Sequence, residues 1–288
     1  MIKLGLLGTD STHATHFANI AHPRNGGFPD VRFTHVFGID PAETAAVAES
    51  GEIANIVADP AEMIGAVDGI MMVFRHGDLH MRYAMPFIEA GVPMWIDKPF
   101  TVDNGEARQM LTAAAQCKTL LTGCSTYKYA KFLDVIRAEL QSGRLGEIYS
   151  VVMDYNIFLD SPYGGLHFYA SHLIEMCCEL FGFDMRSVQA WRKNGNLLVR
   201  PDYRDVDVLL NYTKYCNEHF AVVIGEKGSI SVPIDFIHDT YNKAFAVFID
   251  MIKTGEVPFD PENMYKVTAI TNAIGQAMET GEAVEIVY

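Results

Sequence analysis

The chain of 288 residues is 49% hydrophobic and 20% charged, a composition typical of a globular protein of about two domains. Its 22 basic and 36 acidic residues give a formal net charge of −14, and such a surface repels nucleic-acid phosphates and anionic lipids. No apolar run is long enough to span a bilayer. We therefore expect no nucleic-acid partner and no membrane partner.

The five cysteines indicate a reducing compartment. Cys117, Cys124, Cys177, Cys178 and Cys216 are odd in number and contain no C-x-x-C pair, which is typical of buried thiols in a cytoplasmic protein. The first apolar run ends at a turn signal without a cleavage-site pattern, so we predict a strand there and no signal peptide. A cytoplasmic location follows as the expectation.

Residues 1–123 alternate short apolar runs with helical patterns, which predicts an α/β domain with a doubly wound parallel sheet. The predicted strands are 2–7, 32–39, 69–74, 93–96 and 119–123. The predicted helices between them are 12–21, 42–50, 78–90 and 105–117.

The rhythm changes after residue 123, and residues 124–288 are predicted to form an α+β domain with a largely antiparallel open sheet. A helix at 130–141 precedes a strand at 148–155, and a second helix ends at 181. Strand-like runs follow at 187–192, 206–212, 218–224 and 229–232, with a hairpin turn at 225–228. Helices at 241–254 and 263–280 and a strand at 283–288 complete the chain.

The first predicted strand runs into Gly8-Thr-Asp-Ser-Thr-His13, where a dinucleotide-binding turn would show G-x-G-x-x-G. Ligands of an open parallel sheet bind beyond the carboxyl ends of its strands, and a helix start there attracts a diphosphate. The Asp10 carboxylate would repel phosphate and is suited to cap the helix. Hydroxyls of Ser11 and Thr12 and a protonated His13 can compensate. The turn alone leaves open a cofactor site or a capped helix without a ligand.

The second predicted strand is followed by Asp40, at the point where folds of this type hold the ribose hydroxyls of NAD. An acid there disfavours the additional phosphate of NADP. Because Pro41 follows, Asp40 can equally be the N-cap of a helix, and both roles stay open.

Further motifs occur in an order and spacing that resembles the Gfo/Idh/MocA family of dehydrogenases. They are an apolar strand at 67–73, H-x-x-x-A from His80, E-A-G at 89–91, D-K-P at 97–99, S-G-R-L-G at 142–146, S-H-L-I-E at 171–175, G-E-K-G-S at 225–229 and T-G-E-A-V-E at 280–285. The resemblance covers nearly the whole chain. It implies a Rossmann-type dinucleotide-binding domain at 1–123 and a substrate-binding and oligomerisation domain at 124–288.

The resemblance also implies NAD(P)-dependent hydride transfer to or from a sugar-like, cyclitol or polyol substrate. It matches Lys98 to the family lysine, which can lower the pKa of a substrate hydroxyl. It matches His172 to a histidine that can transfer the proton, and Glu175 can orient His172 through an i,i+3 contact. Without the family, Lys98 is a lysine at a strand end and His172 a core histidine.

The predicted site residues form three sets. Lys98 and His172 are the predicted catalytic residues. The predicted cofactor-binding residues are Gly8, Thr9, Asp10, Ser11, Thr12, His13, Asp40, His80 and Lys98. The predicted substrate-binding residues are Tyr163, His167, His172 and Glu175.

One departure from the family concerns the catalytic set. Phe168 stands where the family often carries an aspartate, and the adjacent His167 lies about 100° away around the helix, so it is no simple replacement. A non-redox ligand-binding or regulatory protein of the same fold therefore stays open as an alternative.

Six of the ten histidines fall in predicted strand-end loops or on the substrate helix: His13, His16, His76, His80, His167 and His172. With Asp10 or Glu175 they can build a metal site, which leaves a metal-dependent lyase or hydrolase as a second alternative. A polar pocket for a hydroxylated or anionic substrate explains them more simply. We therefore predict NAD as cofactor, no metal, and a homodimer or homotetramer.

Overall fold

The computed structural model of the protein describes residues 1–235 and 240–288. These residues form two compact units. The first comprises Met1–Cys124 and Tyr241–Tyr265, and the second comprises Ser125–Thr240 and Lys266–Tyr288. The predicted boundary after residue 123 lies one residue before Cys124, where the first segment of the first unit ends. The predicted second domain at 124–288 differs from the structure, because residues 241–265 pack with the first unit.

The described residues contain the following elements. The strands are β1 (Ile2–Leu7), β2 (Val31–Phe37), β3 (Asn55–Ile56), β4 (Gly69–Met72), β5 (Met94–Asp97), β6 (Leu121–Cys124), β7 (Ile148–Asn156), β8 (Ser187–Lys193), β9 (Asn196–Pro201), β10 (Asp207–Thr213), β11 (Phe220–Gly225), β12 (Gly228–Pro233) and β13 (Val284–Glu285). The α-helices are α1 (Thr12–Ile20), α2 (Pro41–Ser50), α3 (His80–Glu89), α4 (Asn104–Cys117), α5 (Lys131–Ser142), α6 (Leu166–Phe181), α7 (Thr240–Thr254) and α8 (Glu262–Thr280). Within the described ranges, no helix is both long and apolar enough to cross a membrane.

The sheet of the first unit is parallel, with the strand order β3-β2-β1-β4-β5-β6. This is a doubly wound order. The order of the strands reverses between β1 and β4, and a crevice lies there at the carboxyl ends of the two strands. Leu4, Leu6 and Met71 are fully buried, because helices cover both faces of such a sheet and its central strands are apolar throughout. The predicted parallel sheet is confirmed.

Helix α7 belongs to the first unit because of its apolar face. Phe245 and Phe248 are fully buried, and the Phe245 ring lies 4.7 Å from that of Phe28 and 6.3 Å from that of Phe17. The sequence predicts this helix correctly but not its partner, since an amphipathic pattern shows which face is buried and not against what.

The sheet of the second unit has the order β12-β11-β7-β10-β9-β8-β13. The β7–β10 pair is parallel, and the other described pairs are antiparallel. Val151, Met153 and Tyr155 alternate along β7 into the core that also contains Leu173 and Ile174 of α6. The predicted α+β fold with a largely antiparallel sheet is confirmed.

Two strands were missing from the prediction. β3 is only two residues long, too short to show a periodic pattern. β9 follows Asn194 and Gly195, both with positive φ (54° and 80°), and Asn-Gly is the turn that such hairpins favour. The Asn-Gly pair was the available signal for β9.

Candidate active site

The turn after β1 lies at the crevice of the first unit. Gly8 has φ +92°, and a Cβ there would lie 2.5 Å from the backbone nitrogen of Phe74, in the turn after β4. Only glycine allows this approach without strain. The structure thus places the predicted cofactor turn at the switch point of the sheet, with the N-terminus of α1 beside it.

Ser11, and not Asp10 as predicted, caps helix α1. The Ser11 hydroxyl accepts from the His13 N–H at 3.2 Å, whereas both Asp10 carboxylate oxygens accept from the Arg75 N–H, at 3.2 and 3.3 Å. Asp10 can reach Arg75 because the close approach at Gly8 brings the turn after β1 next to the turn after β4. Thr12 is the exposed first residue of α1, so an anion can still approach the start of the helix.

His13 reaches across the crevice to the strand end that carries Lys98. Its Nδ1 donates to Asp97 Oδ2 at 2.7 Å, with side chains 13% and 3% exposed. Tyr241 of α7 lies edge-on to the His13 ring, with the centroids 5.1 Å apart. Burial raises the pKa of Asp97, but the charge and hydrogen bond of His13 and the charges of Lys98 and His80 outweigh burial and hold it below its ordinary value.

Lys98 directly follows β5 and is 5% exposed. Burial lowers its pKa to about 8, with Asp97 raising it and Arg75 lowering it. An amine with a pKa near neutrality can exchange a proton with a substrate hydroxyl at physiological pH. Of the predicted catalytic residues, Lys98 therefore has the protonation behaviour that the chemistry needs.

Asp40 caps α2 in this structure. Its Oδ1 accepts from the N–H groups of Ala42 and Glu43 at 2.8 and 2.9 Å, so the capping interpretation is observed. The exposed carboxylate can still meet a ribose. Thr9 is buried, and its hydroxyl lies 3.1 Å from that of Thr44, so its side chain packs under α2 and does not face the crevice.

His80, predicted as a cofactor-binding residue, lies at the start of α3. Its side chain is fully buried, and its ring nitrogens lie 2.9 Å from the Phe74 carbonyl and 3.2 Å from the Phe100 carbonyl. Burial lowers its pKa, and the neutral ring serves to tie the turn after β4 to the segment after β5. His76 accepts from the Asp78 N–H instead.

In the second unit, His172 lies in a buried aromatic setting on α6. Its Nδ1 is 2.7 Å from the Ser125 hydroxyl, and its ring stacks on Tyr127 with centroids 4.4 Å apart. The Ser125 oxygen already accepts a hydrogen bond from the Tyr127 N–H, so the Ser125 hydroxyl can donate its own hydrogen bond to Nδ1 of His172. In that arrangement the neutral His172 ring carries its proton on Nε2.

Glu175 also holds Ser125. Its Oε1 accepts from the Ser125 N–H at 2.9 Å, and its Oε2 lies 3.5 Å from Lys128 Nζ. Burial raises the pKa of Glu175 to about 7, against the lowering effects of Lys128 and the Ser125 N–H. Glu175 and His172 both contact Ser125, so the predicted orientation of His172 by Glu175 can act through that residue.

The other predicted substrate residues lie near the start of α6. His167 Nε2 is 2.8 Å from the Asn272 side-chain oxygen, which ties α6 to α8. Tyr163 and Phe168 pack together with ring centroids 5.3 Å apart, and Phe168 also meets Tyr169. The position of the family aspartate is therefore part of an aromatic cluster.

The histidines named as possible metal ligands are divided between the two units, with His13, His16, His76 and His80 in the first and His167 and His172 in the second. Among the described residues, the group with metal-ligand geometry is Asp154, Cys216 and His219, whose ligand atoms lie within 4.8 Å of one another. The two Asp154 oxygens already accept from the His219 ring and the Phe220 N–H. This group is not the one that the sequence predicted.

Sequence reasoning missed four residues of these centres: Asp97, Ser125, Lys128 and Tyr241. Asp97 lies within the D-K-P motif, and Ser125 lies just after the predicted domain boundary. The available signal for both was that a buried charge, that of Lys98 or Glu175, needs a polar partner. Lys128 and Tyr241 carried no such signal, because each is placed by the tertiary fold.

The strand order of the first unit is the order found in doubly wound sheets that bind dinucleotides. Residues 2–123 match the sequence model of the Gfo/Idh/MocA family, described as an oxidoreductase family with a NAD-binding Rossmann fold. The match covers less than half of the chain and lies within the first unit, where it confirms the predicted family resemblance.

Its relatives include inositol dehydrogenases. An inositol 2-dehydrogenase from Pseudomonas fluorescens is 26% identical over 149 residues, 51% of this chain and 43% of that protein. An uncharacterised oxidoreductase, YhhX of Escherichia coli, is 24% identical over 42% of this chain and 39% of that protein. The matches thus span less than half of either relative. The crystal structure of myo-inositol dehydrogenase from Lactobacillus casei with NAD(H) and myo-inositol has a TM-score of 0.86 at 16% identity, over 100% of this chain and 97% of that one.

Proposed function

We propose that the protein is an NAD-dependent dehydrogenase or reductase acting on a hydroxyl-bearing carbon of a sugar-like, cyclitol or polyol substrate. The observation that carries this proposal is Lys98, a buried amine at the carboxyl end of β5 whose pKa is lowered to about 8. The nicotinamide would supply the hydride acceptor or donor. The relatives that act on inositols support the substrate class.

The residues of the first unit fit a dinucleotide. Gly8 has no side chain to obstruct the close approach of the turn to Phe74. The start of α1 can bind the diphosphate. The Asp10 carboxylate accepts hydrogen bonds from the Arg75 N–H. Asp40 is suited to the ribose hydroxyls and would disfavour the phosphate of NADP. We accordingly propose NAD as the preferred cofactor.

Two residues manage the proton in this proposal. Lys98 in its amine form can accept the proton of a substrate hydroxyl, and its ammonium form can return it. His172, with Nδ1 held by Ser125, presents Nε2 as a second donor or acceptor. Each assignment rests on the surroundings of that residue within its own unit.

A non-redox binding protein is the competing proposal, and Phe168 is the observation that favours it. An aromatic cluster stands where the family aspartate would lie, so binding without turnover is its expectation. A homo-oligomer and a cytoplasmic location also remain proposals. The homo-oligomer is supported by exposed apolar side chains on the sheet of the second unit, namely Trp191, Phe220 and Ile224. The cytoplasmic location is supported by the buried free thiols of Cys124, Cys177 and Cys178.

The test uses the intrinsic fluorescence of Trp95, one of two tryptophans and fully buried on β5. NADH is titrated into the protein while energy transfer from tryptophan is followed, and W95F separates this signal from that of Trp191. NAD reduction is then measured with myo-inositol and a panel of polyols. Absence of transfer at millimolar NADH would refute a cofactor site, whereas NADH binding without turnover of any polyol would favour the binding protein.

A further inference from the structure

Two departures from the family pattern contact each other in the structure. His13 occupies the place of the last glycine of the cofactor turn, and Asp97 begins D-K-P, where the family that the sequence resembles has E-K-P. Their side chains are joined by the 2.7 Å bond from Nδ1 to Oδ2. The sequence separates them by 84 residues, so only the fold shows that the two changes form one feature.

Asp97 depends on this bond because of its burial. The carboxylate is 3% exposed, and its other oxygen, Oδ1, is buried and accepts no hydrogen bond from the residues that the structure describes. A buried carboxylate that loses its donor is strongly destabilised. His13 is therefore the hydrogen-bond donor that keeps this charge in place.

The His13 ring is also fixed from its other side. Tyr241 lies edge-on to it, and the same tyrosine ring stacks on His16, one turn along α1, with centroids 4.8 Å apart. A ring held between a carboxylate and an aromatic edge has little freedom to rotate. The contact is thus a rigid bridge from α1 to the end of β5.

We propose that His13 is a positioning residue that joins the cofactor turn to the strand end carrying Lys98, and that it does so by pairing with Asp97. This inference rests on the proposed function for its catalytic meaning. The pair fixes the position of the Lys98 backbone relative to the start of α1. The Asp97 carboxylate then interacts with both His13 and Lys98. The side chain at position 13 therefore supports the cofactor site and does not obstruct it.

The charged and titratable groups around the pair come from five segments. Lys98 follows Asp97 on β5, Arg75 lies in the turn after β4, and His80 begins α3. His16 and Tyr241 complete the aromatic side. Of these, Lys98 has the titration that reports on the pair, because the Asp97 charge raises its pKa.

The test compares H13G, H13N, D97E and H13G/D97E, with T15G as the matched control, which places a glycine on the exposed face of α1. H13N keeps a donor in reach of Asp97, whereas H13G removes it. We expect H13G and D97E each to weaken NADH binding about tenfold, and the double variant to lose no more than the weaker-binding single variant, since the effects of paired residues are not additive. H13N and T15G should stay within about twofold.

A second readout separates positioning from simple packing. The Cε carbon of Lys98 is followed by NMR in 13C-lysine-labelled protein and assigned with K98M. In H13G the titration midpoint of Lys98 should rise, because the carboxylate charge is no longer shared with a second donor, and in H13N it should not move. Tighter NADH binding by H13G, additive effects in the double variant, or an unmoved midpoint in H13G would overturn the proposal.

Failure of the proposed function gives a different result. If wild-type protein does not bind NADH, the cofactor assignment fails, but the thermal unfolding temperatures of the same four variants and the Lys98 titration still judge the pair. A double variant whose unfolding temperature falls no further than that of the less stable single variant supports the bridge, and additivity of the two losses contradicts it.

Discussion

Each unit contains a buried carboxylate beside a lysine, and the pKa of the carboxylate is shifted in opposite directions in the two pairs. In the first unit the pKa of Asp97 lies below its ordinary value and that of Lys98 falls to about 8. In the second, Lys128 lies 3.5 Å from Glu175, yet burial raises the pKa of Glu175 to about 7. The lysine is the labile group in one pair and the carboxylate in the other.

The difference teaches that the partners of a buried carboxylate decide which group gives up its charge. Burial disfavours both carboxylates. Asp97 has His13 in addition to Lys98 and His80, and their combined attraction exceeds the effect of burial. Glu175 has Lys128 and one N–H group, while Glu179 acts in the opposite direction, and burial prevails.

The strongest way to break the comparison is K98M. Loss of the amine should lower kcat by about 10³-fold, as expected for a general acid–base group. The pKa of Lys98 is lower in the folded protein than its ordinary 10.5, so holding the ammonium costs stability fully below pH 8 and ceases to cost it above about pH 10.5.

K98M should therefore be more stable than wild type at pH 7, by about 1 to 3 kcal/mol, and the gap should close as the pH rises from 8 to 10.5. Steady-state kinetics and urea unfolding across this range measure both effects. K118M, at an exposed lysine, is the control. A less stable K98M at pH 7 would contradict the assignment of Lys98 as the labile group.

The histidines of α6 offer a matched pair for the second unit. H172N should lower kcat about 10²-fold because it removes a proton-transfer group. H167N should change kcat by less than about threefold, since the contact of His167 is with Asn272 and its loss costs about 1 kcal/mol of stability. Equal losses of kcat in the two variants would remove His172 from the mechanism.

E175Q sharpens the comparison through stability. The pKa of Glu175 is higher in the folded protein than its ordinary 4.5, so the folded state binds this proton more tightly. Its contribution to stability is complete below pH 4.5 and is lost as the pH rises to 7. E175Q should flatten this decline, which amounts to about 3 kcal/mol at most. Chemical unfolding between pH 4.5 and 8 measures it, with E282Q, at an exposed glutamate of the second unit, as control.

The smallest expected effect lies outside both pairs, at Asp40. D40A should lower the free energy of unfolding by about 1 kcal/mol through loss of the cap, whereas D40N keeps the cap and removes the charge. If Asp40 also binds ribose, D40N should bind NADH less tightly with unchanged stability and show a smaller preference for NAD over NADP. Unaltered binding in D40N would restrict Asp40 to its capping role.

Much of the fold could be predicted from the sequence because its elements are periodic and punctuated. The first strand and most helices of the first unit agree within two residues, since apolar runs end at Gly, Asp or Pro there. The partner of α7 could not be predicted, because its amphipathic face fits any apolar surface.

The candidate site was predictable as a set of motifs and not as a network. Lys98 and His172 followed from their motifs, but the bond from His13 to Asp97 and the contacts of Ser125 join residues far apart in the sequence. Those contacts exist only once the strands have ordered, and no local pattern encodes them. His80 shows the converse: its motif matched, but its side chain is turned into the protein.

The membership of α7 in the first unit has a consequence for the order of events during synthesis. The helix that covers Phe17 and Phe28 leaves the ribosome more than a hundred residues after the sheet that it completes. A nascent chain ending near residue 124 must keep that apolar surface uncovered until Phe245 and Phe248 arrive. The first unit thus lacks part of its apolar cover until residues 241–265 have been synthesised.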